Sequence, residues 1–193
     1  MIMGRLIDAD DCVLILVDVQ QGFLERVEPE AKAGLIERIA FLTLSARFCG
    51  IPVVTTLESP KDWGGLHHGL VEAVGDAPVI EKAVFGLAGD PLAGPAVRKT
   101  GRGTAALTGL ETDVCVAQSA LGLLDEGLRV VVVEDAVASP GSAHAAGIER
   151  MRRAGAVGML TKQLHYEWMR TVRRSREFEA AHPGLVQPPG VEL

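Results

Sequence analysis

The sequence predicts a three-layer α/β/α domain built on a six-stranded, mostly parallel, Rossmann-like sheet. Three observations carry that prediction. Short runs rich in Val, Ile and Leu alternate along the chain with longer stretches of helical periodicity. The strand candidates are almost continuously apolar, as in Cys12–Val19 (CVLILVDV), which marks strands covered on both faces. No linker, repeat or shift in composition divides the 193 residues, a length suited to one domain with a sizeable core. Such alternation implies right-handed βαβ crossovers and a sheet buried between two helical layers.

The elements follow in order. After the first strand, a helix is expected from about Pro29 to Cys49. Leu35, Ile39, Leu42 and Ala46 recur at helical spacing, Pro29 stands near the start, and Gly50 supplies the stop. Ile51–Leu57 (IPVVTTL) is the second strand. The segment Glu58–Gly75 holds Gly64, Gly65 and Gly69 with no long periodic run, and is expected as a functional loop or lid with a helical turn. Pro78–Lys82 is a short third strand, and Pro91–Thr100 a helix ending at the turn Gly101–Gly103. Thr104–Gly109 is the fourth strand. Cys115–Glu126 is a helix with Ala117, Ala120, Leu121 and Leu124 as its buried stripe. Arg129–Glu134, Ala143–Ala154 and Ala156–Leu160 supply the fifth strand, a helix and the sixth strand. A last helix is expected over Lys162–Ala181. The proline-bearing tail, residues 182–193, is expected to be loosely ordered or laid on a neighbouring subunit.

Composition narrows the function. Hydrophobic residues are 48% and aromatics only 4%, so Val, Ile, Leu and Ala must fill the core. Lys and Arg number 19 against 25 Asp and Glu, a net charge of -6, which argues against a nucleic-acid footprint. Arg150, Arg152, Arg153, Arg170, Arg173, Arg174 and Arg176 are interspersed with acids and read as a solvated face. The run Met1–Asp11 lacks the apolar core of a signal peptide. The longest apolar runs, Cys12–Val17 and Val130–Val133, are too short to span a bilayer. An odd count of three cysteines without secretory context points to a cytoplasmic chain without a disulfide framework. Cys12 and Cys49 read as small buried hydrophobes. A small-molecule substrate is expected, with neither nucleic acid nor membrane as partner.

In a parallel sheet, ligands bind beyond the carboxyl ends of the strands, where strand order reverses. Asp18 interrupts the first strand near its end, Lys82 follows the third, and Cys115 opens the helix after the fourth. A helix start favours a thiolate. An acid, an amine and a thiol so placed suit nucleophilic acyl chemistry. Each also has a plainer reading: Asp18 as a turn cap, Lys82 as a solvent-facing lysine, Cys115 as a core residue.

Longer matches favour the chemical readings. Leu14–Phe23 reads LILVDVQQGF, Glu81–Phe85 reads EKAVF, and Thr108–Val116 reads TGLETDVCV. With Leu123–Ser139 (LLDEGLRVVVVEDAVAS) and Gly147–Ala156 (GIERMRRAGA), these resemble the isochorismatase-like cysteine hydrolases over roughly Leu14 to Arg170. That family includes nicotinamidases and N-carbamoyl amidohydrolases. The resemblance implies Asp18 as general base, Lys82 as the family's lysine and Cys115 as nucleophile. It implies a cis peptide between Leu110 and Glu111, with the Glu111 and Cys115 N–H groups forming an oxyanion hole. Gln20 and Phe23 match positions that support the site, and Phe85 matches the aromatic after the lysine. Trp63, on the flexible segment, is expected to cover the substrate. The family is commonly oligomeric, so a dimer or larger homo-oligomer is expected.

The departures matter too. Metal-dependent nicotinamidases carry an Asp-x-His pair and a further His after the second strand. Here the region reads TTLESPKDWGGLHHG, and Glu58, Asp62, His67 and His68 do not reproduce that pattern. No metal and no cofactor is therefore expected, and the likeness is nearer to metal-free members of unassigned substrate. Biosynthetic isochorismate hydrolases lack the thiol at Cys115, so an amide, carbamoyl or ester substrate is expected. Three other readings stay open: an oligomeric scaffold without catalysis, a redox-sensing thiol protein, and a metal-dependent nicotinamidase.

Overall fold

The computed structural model describes residues 6–185, 187, 188, 190 and 191. Its strands are β1 (Cys12–Val17), β2 (Val53–Glu58), β3 (Val79–Lys82), β4 (Thr104–Leu110), β5 (Arg129–Ala138) and β6 (Val157–Met159). They form one sheet in the order β3-β2-β1-β4-β5-β6, and every pairing is parallel. The chain first winds outward from β1 to β3, then returns to lay β4 on the other side of β1. The reversal therefore falls between β1 and β4, and a crevice opens at their carboxyl ends.

Side chains alternate across a strand, which sorts β1 between two cores. Leu14 and Leu16 pack with Ile39, Leu42, Trp168 and Phe178, under the helices Leu35–Cys49, Thr161–Met169 and Val172–Ala181. Val13, Ile15 and Val17 pack with Val97, Ala120, Leu123 and Ile148, under the helices Ala93–Lys99, Ala117–Asp125 and Ala143–Arg153. All six β1 residues are buried, and each large aliphatic side chain so buried contributes about 1.5–3 kcal/mol. That explains why the strand reads as continuously apolar.

Several boundaries differ from the sequence expectation, each for a local reason. The first strand stops at Val17 because Asp18 takes a left-handed backbone, φ 50. The helix expected over Pro29–Cys49 divides into Pro29–Lys32 and Leu35–Cys49, where Gly34 turns left-handed at φ 70. The expected last helix likewise breaks at Arg170, φ 63, into Thr161–Met169 and Val172–Ala181. The loop Glu58–Gly75 contains short helical turns at Pro60–Trp63, His68–Leu70 and Val71–Val74. β5 runs four residues past Glu134 to Ala138, its pairing with β4 shifting register between Leu107 and Gly109.

The helix expected to open at Cys115 begins earlier, as a π turn over Thr112–Val116 that leads into Ala117–Asp125. Leu123 is fully buried there, whereas Leu121 and Leu124 are only half-buried. In the tail, positions 186, 189, 192 and 193 lie outside the described residues, while Val191 is fully buried. Among the described residues no helix is long and apolar enough to cross a membrane.

Candidate active site

The carboxyl edge of the sheet gathers the charged residues. At the end of β1, the Asp18 N–H donates to Thr56 O at 3.0 Å, and Gln20 N–H donates to Asp18 O at 2.8 Å. These bonds hold Asp18 in its left-handed conformation, which aspartate tolerates better than most residues. Its carboxylate accepts from Thr56 Oγ1 at 2.8 Å and stands 2.6 Å from Lys82 Nζ, with neither the Asp18 nor the Lys82 side chain reached by solvent. Lys82 Nζ also donates to Val84 O at 2.9 Å.

Cys115 reaches this pair from the π turn. The turn follows a cis peptide between Leu110 and Glu111, and the N–H groups of Val114 and Val116 both donate to Glu111 O. Two glycines let the turn sit where it does. A Cβ on Gly109 would meet Val17 O at 2.0 Å, so only glycine lets β4 pass the end of β1 this closely. A Cβ on Gly147 would meet Asp113 Cα at 2.8 Å, so the helix Ala143–Arg153 packs directly on the turn's backbone. Side chains pin the turn further: Ser139 Oγ donates to Asp113 Oδ1 at 2.6 Å, and Thr112 Oγ1 bonds His144 Nδ1 at 3.0 Å.

The Cys115 thiol lies within electrostatic reach of both Asp18 and Lys82. Burial and then the Asp18 carboxylate push the Cys115 thiol up to about 12, with Lys82 opposing. This corrects the expectation of a resting thiolate at a helix start. Cys115 is 3% exposed, inside a turn rather than at its tip, and the Asp18 carboxylate opposes its ionisation. Burial likewise raises Asp18 above the ordinary carboxylate range, against the pull of Lys82 and the hydrogen bond from Thr56. The assembly is a protonated thiol beside a carboxylate that is itself paired with an ammonium.

The rim is built from Gln20, Phe23, Arg26 and Trp63. Gln20 is fully buried and binds both ends of the loop carrying Trp63. Its Nε2 donates to Glu58 O at 3.0 Å and Gly64 O at 2.6 Å, and its Oε1 accepts from Glu58 N–H at 2.8 Å. Trp63 stacks on Phe23 with centroids 4.6 Å apart. The Arg26 guanidinium lies over the Trp63 ring and stands 3.4 Å from Glu111 Oε1. A cavity of about 320 Å³ adjoins the site, lined by Ser59, Lys61, Asp62, Glu81 and Lys82 among others.

Asp18, Lys82 and Cys115 are thus brought together, with Gln20, Phe23, Trp63 and Glu111 around them. Phe85 is not among them. It is half-exposed and lines a different cavity, of about 390 Å³, with Val84, Gln118 and Gly122. His67 and His68 face the helix Leu35–Cys49 across a cavity shared with Lys32 and Glu37. Among the described residues no group of three His, Cys, Asp or Glu side chains is placed to hold a metal. Sequence reasoning missed Thr56 and Arg26, which belong to no motif, and gave no role to Ser139 at the end of a matched stretch; only the strand register and the loop path bring them to the site.

Comparison with known proteins agrees with this architecture. The isochorismatase domain model matches residues 12–163. The secreted isochorismatase effector Isc1 of Phytophthora sojae (strain P6497) is 32% identical over 161 residues, 80% of this chain and 74% of that one. A structure of YcaC from Pseudomonas aeruginosa, described with hexane-2,5-diol and covalent acrylamide, superposes at a TM-score of 0.80. It is 28% identical and covers 95% of this chain and 94% of its own. The Escherichia coli YcaC structure, described as an octameric hydrolase of unknown specificity, gives a TM-score of 0.81 at 26% identity, covering 95% and 93%. With the family model matched from β1 to the helix after β6, the chain belongs to the isochorismatase family.

Proposed function

We propose that this isochorismatase-family hydrolase cleaves a small amide, carbamoyl or ester substrate through a thioester on Cys115. One observation carries the reading: the Asp18 carboxylate is paired with buried Lys82 at 2.6 Å, and both lie within electrostatic reach of the Cys115 thiol. A carboxylate paired with an ammonium beside a thiol can serve as the general base for that nucleophile.

In this mechanism Asp18 takes the thiol proton as sulfur attacks the carbonyl carbon. The negative charge passes from Asp18 to the carbonyl oxygen, where the Glu111 and Cys115 N–H groups receive it. The tetrahedral adduct collapses to the thioester, and the leaving amine or alcohol collects the proton from Asp18. A water molecule then gives a proton to Asp18 and attacks the thioester. Collapse releases the acid, and the proton returns to sulfur. Lys82 keeps Asp18 anionic between these transfers. Cys115 never has to exist as a free thiolate, which suits a thiol pushed up to about 12.

The test has two arms. Acrylamide, a small uncharged amide found covalently bound in the Pseudomonas YcaC structure, should add once to Cys115 and not to the Cys115→Ala protein. A panel of small amides, carbamoyl compounds and esters, followed by ammonia or acid release, should yield a turnover that Cys115→Ala and Asp18→Asn both abolish. Turnover that survives Cys115→Ala overturns the reading.

Assembly enters the same proposal. We assign a homo-oligomer on the strength of the octameric relative and of an apolar edge beside β3, where Val79, Val84, Phe85 and Leu92 are exposed. All three cysteines are free and buried, which suits a reducing compartment, and we propose the cytoplasm, although the Phytophthora relative is described as secreted.

A further inference from the structure

Four adjacent strands bring charged residues to the carboxyl edge. In spatial order these are Lys82 at the end of β3, Glu58 at the end of β2, Asp18 just past β1 and Glu111 just past β4. Neighbouring strands lie roughly 4.8 Å apart, so all four belong to one crevice. Two of the three carboxylates are matched: Asp18 by Lys82 at 2.6 Å and Glu111 by Arg26 at 3.4 Å. Glu58 has no ion-pair partner among the described residues. Lys61, Asp62 and Glu81 around the adjoining cavity add no net positive charge to offset it.

The backbone of Glu58 is also held in place. It pairs with Lys82 in the β2–β3 register, and Gln20 binds both its N–H and its C=O. Its carboxylate lies close enough to act on both Cys115 and Glu111, raising each. An unmatched negative charge near a nucleophile sorts the electrophiles that approach it.

We propose that Glu58 is the specificity-determining residue of this site: its carboxylate favours substrates that bring an ammonium, amidinium or uncharged amide N–H group beside the reacting carbonyl, and rejects those that bring a carboxylate. The inference rests on Cys115 as the reactive group, and it narrows the substrate class to neutral and cationic amides, carbamoyl compounds or esters.

The experiment needs no known substrate. Alkylation rates of Cys115 in the full chain are measured with iodoacetamide, iodoacetate and 2-bromoethylammonium, each divided by the rate for N-acetylcysteine. These ratios cancel any change in thiol acidity, because all three reagents attack the same sulfur. The normalised iodoacetate rate should fall about tenfold below that of iodoacetamide, with the cation the fastest. Glu58→Gln should raise the iodoacetate-to-iodoacetamide ratio about fivefold, as expected for one charge at this range, and Glu179→Gln, on the exposed face of the last helix, should leave it unchanged. Thermal unfolding of Glu58→Gln shows whether the fold is kept. Equal normalised rates in the parent protein, a ratio unmoved by Glu58→Gln, or a Cys115 that none of the three reagents labels would overturn the proposal. Charge-selective labelling in a chain that turns over no amide or ester would refute the hydrolase reading and leave the role of Glu58 standing.

Discussion

Lys82 Nζ stands 2.6 Å from Asp18 Oδ2, and solvent reaches neither side chain. Taking two charges out of water is costly, and their attraction offsets the cost only while both are present. Lys82→Met would leave a buried carboxylate without its cation, a loss of about 3–5 kcal/mol. Burial already raises Asp18, and without Lys82 it would rise further. A raised carboxylate contributes stability that is lost as pH climbs through its folded pKa. The deficit of Lys82→Met should therefore be larger at pH 8 than at pH 5, and urea unfolding at the two pH values measures it. A loss near the 0–1 kcal/mol of a surface pair would contradict this account.

The thiols make an alkaline prediction. Cys115 and Cys12 are both raised from 9.0 to about 12, chiefly by burial. Folded thiols then keep protons that unfolded ones release, so their contribution to stability is full below pH 9 and lost between pH 9 and 12. Iodoacetamide labelling of Cys115 should rise about tenfold per pH unit from neutrality upward, since the thiolate is the reactive form. Asp18→Asn, which removes the negative neighbour, should shift that profile to lower pH. A labelling plateau below pH 8 would show a resting thiolate instead.

His165 governs an acid limb. It is fully buried among Phe41, Tyr166 and Phe178, its Nδ1 bonded to Ser45 Oγ at 2.9 Å. Burial lowers it from 6.5 to about 4. A depressed histidine contributes stability that is whole above 6.5 and lost as pH falls toward 4, up to about 3 kcal/mol at 1.36 kcal/mol per unit. His165→Phe should flatten this limb, leaving the smaller slope from His67 and His144, which burial also lowers. Urea midpoints between pH 7 and 4 that fall equally in both proteins would refute it.

Assembly can be read by light scattering. The mass should exceed the 20.4 kDa of one chain by at least twofold. Phe85→Asp, placed on the exposed edge beside β3, should lower it toward the single-chain value. A parent protein that scatters as one chain at micromolar concentration would remove the proposal.

The linear sequence determined the secondary elements and their order, because strands buried on both faces must be almost uniformly apolar and helices must repeat their apolar positions. Asp18 stood out since a charge inside such a run has to be compensated, and Cys115 since its surroundings form a long, specific match. Breaks at Gly34 and Arg170 were less legible, because a single left-handed residue leaves the helical pattern on either side intact. Only the tertiary structure decided what surrounds the thiol. Thr56 reaches Asp18 through strand register, Arg26 meets Glu111 across a loop, and Gln20 fixes Glu58 from 38 residues away. Proton affinity and charge selectivity depend on distances and burial between such residues, and chain order does not specify these until the sheet has brought its edges together.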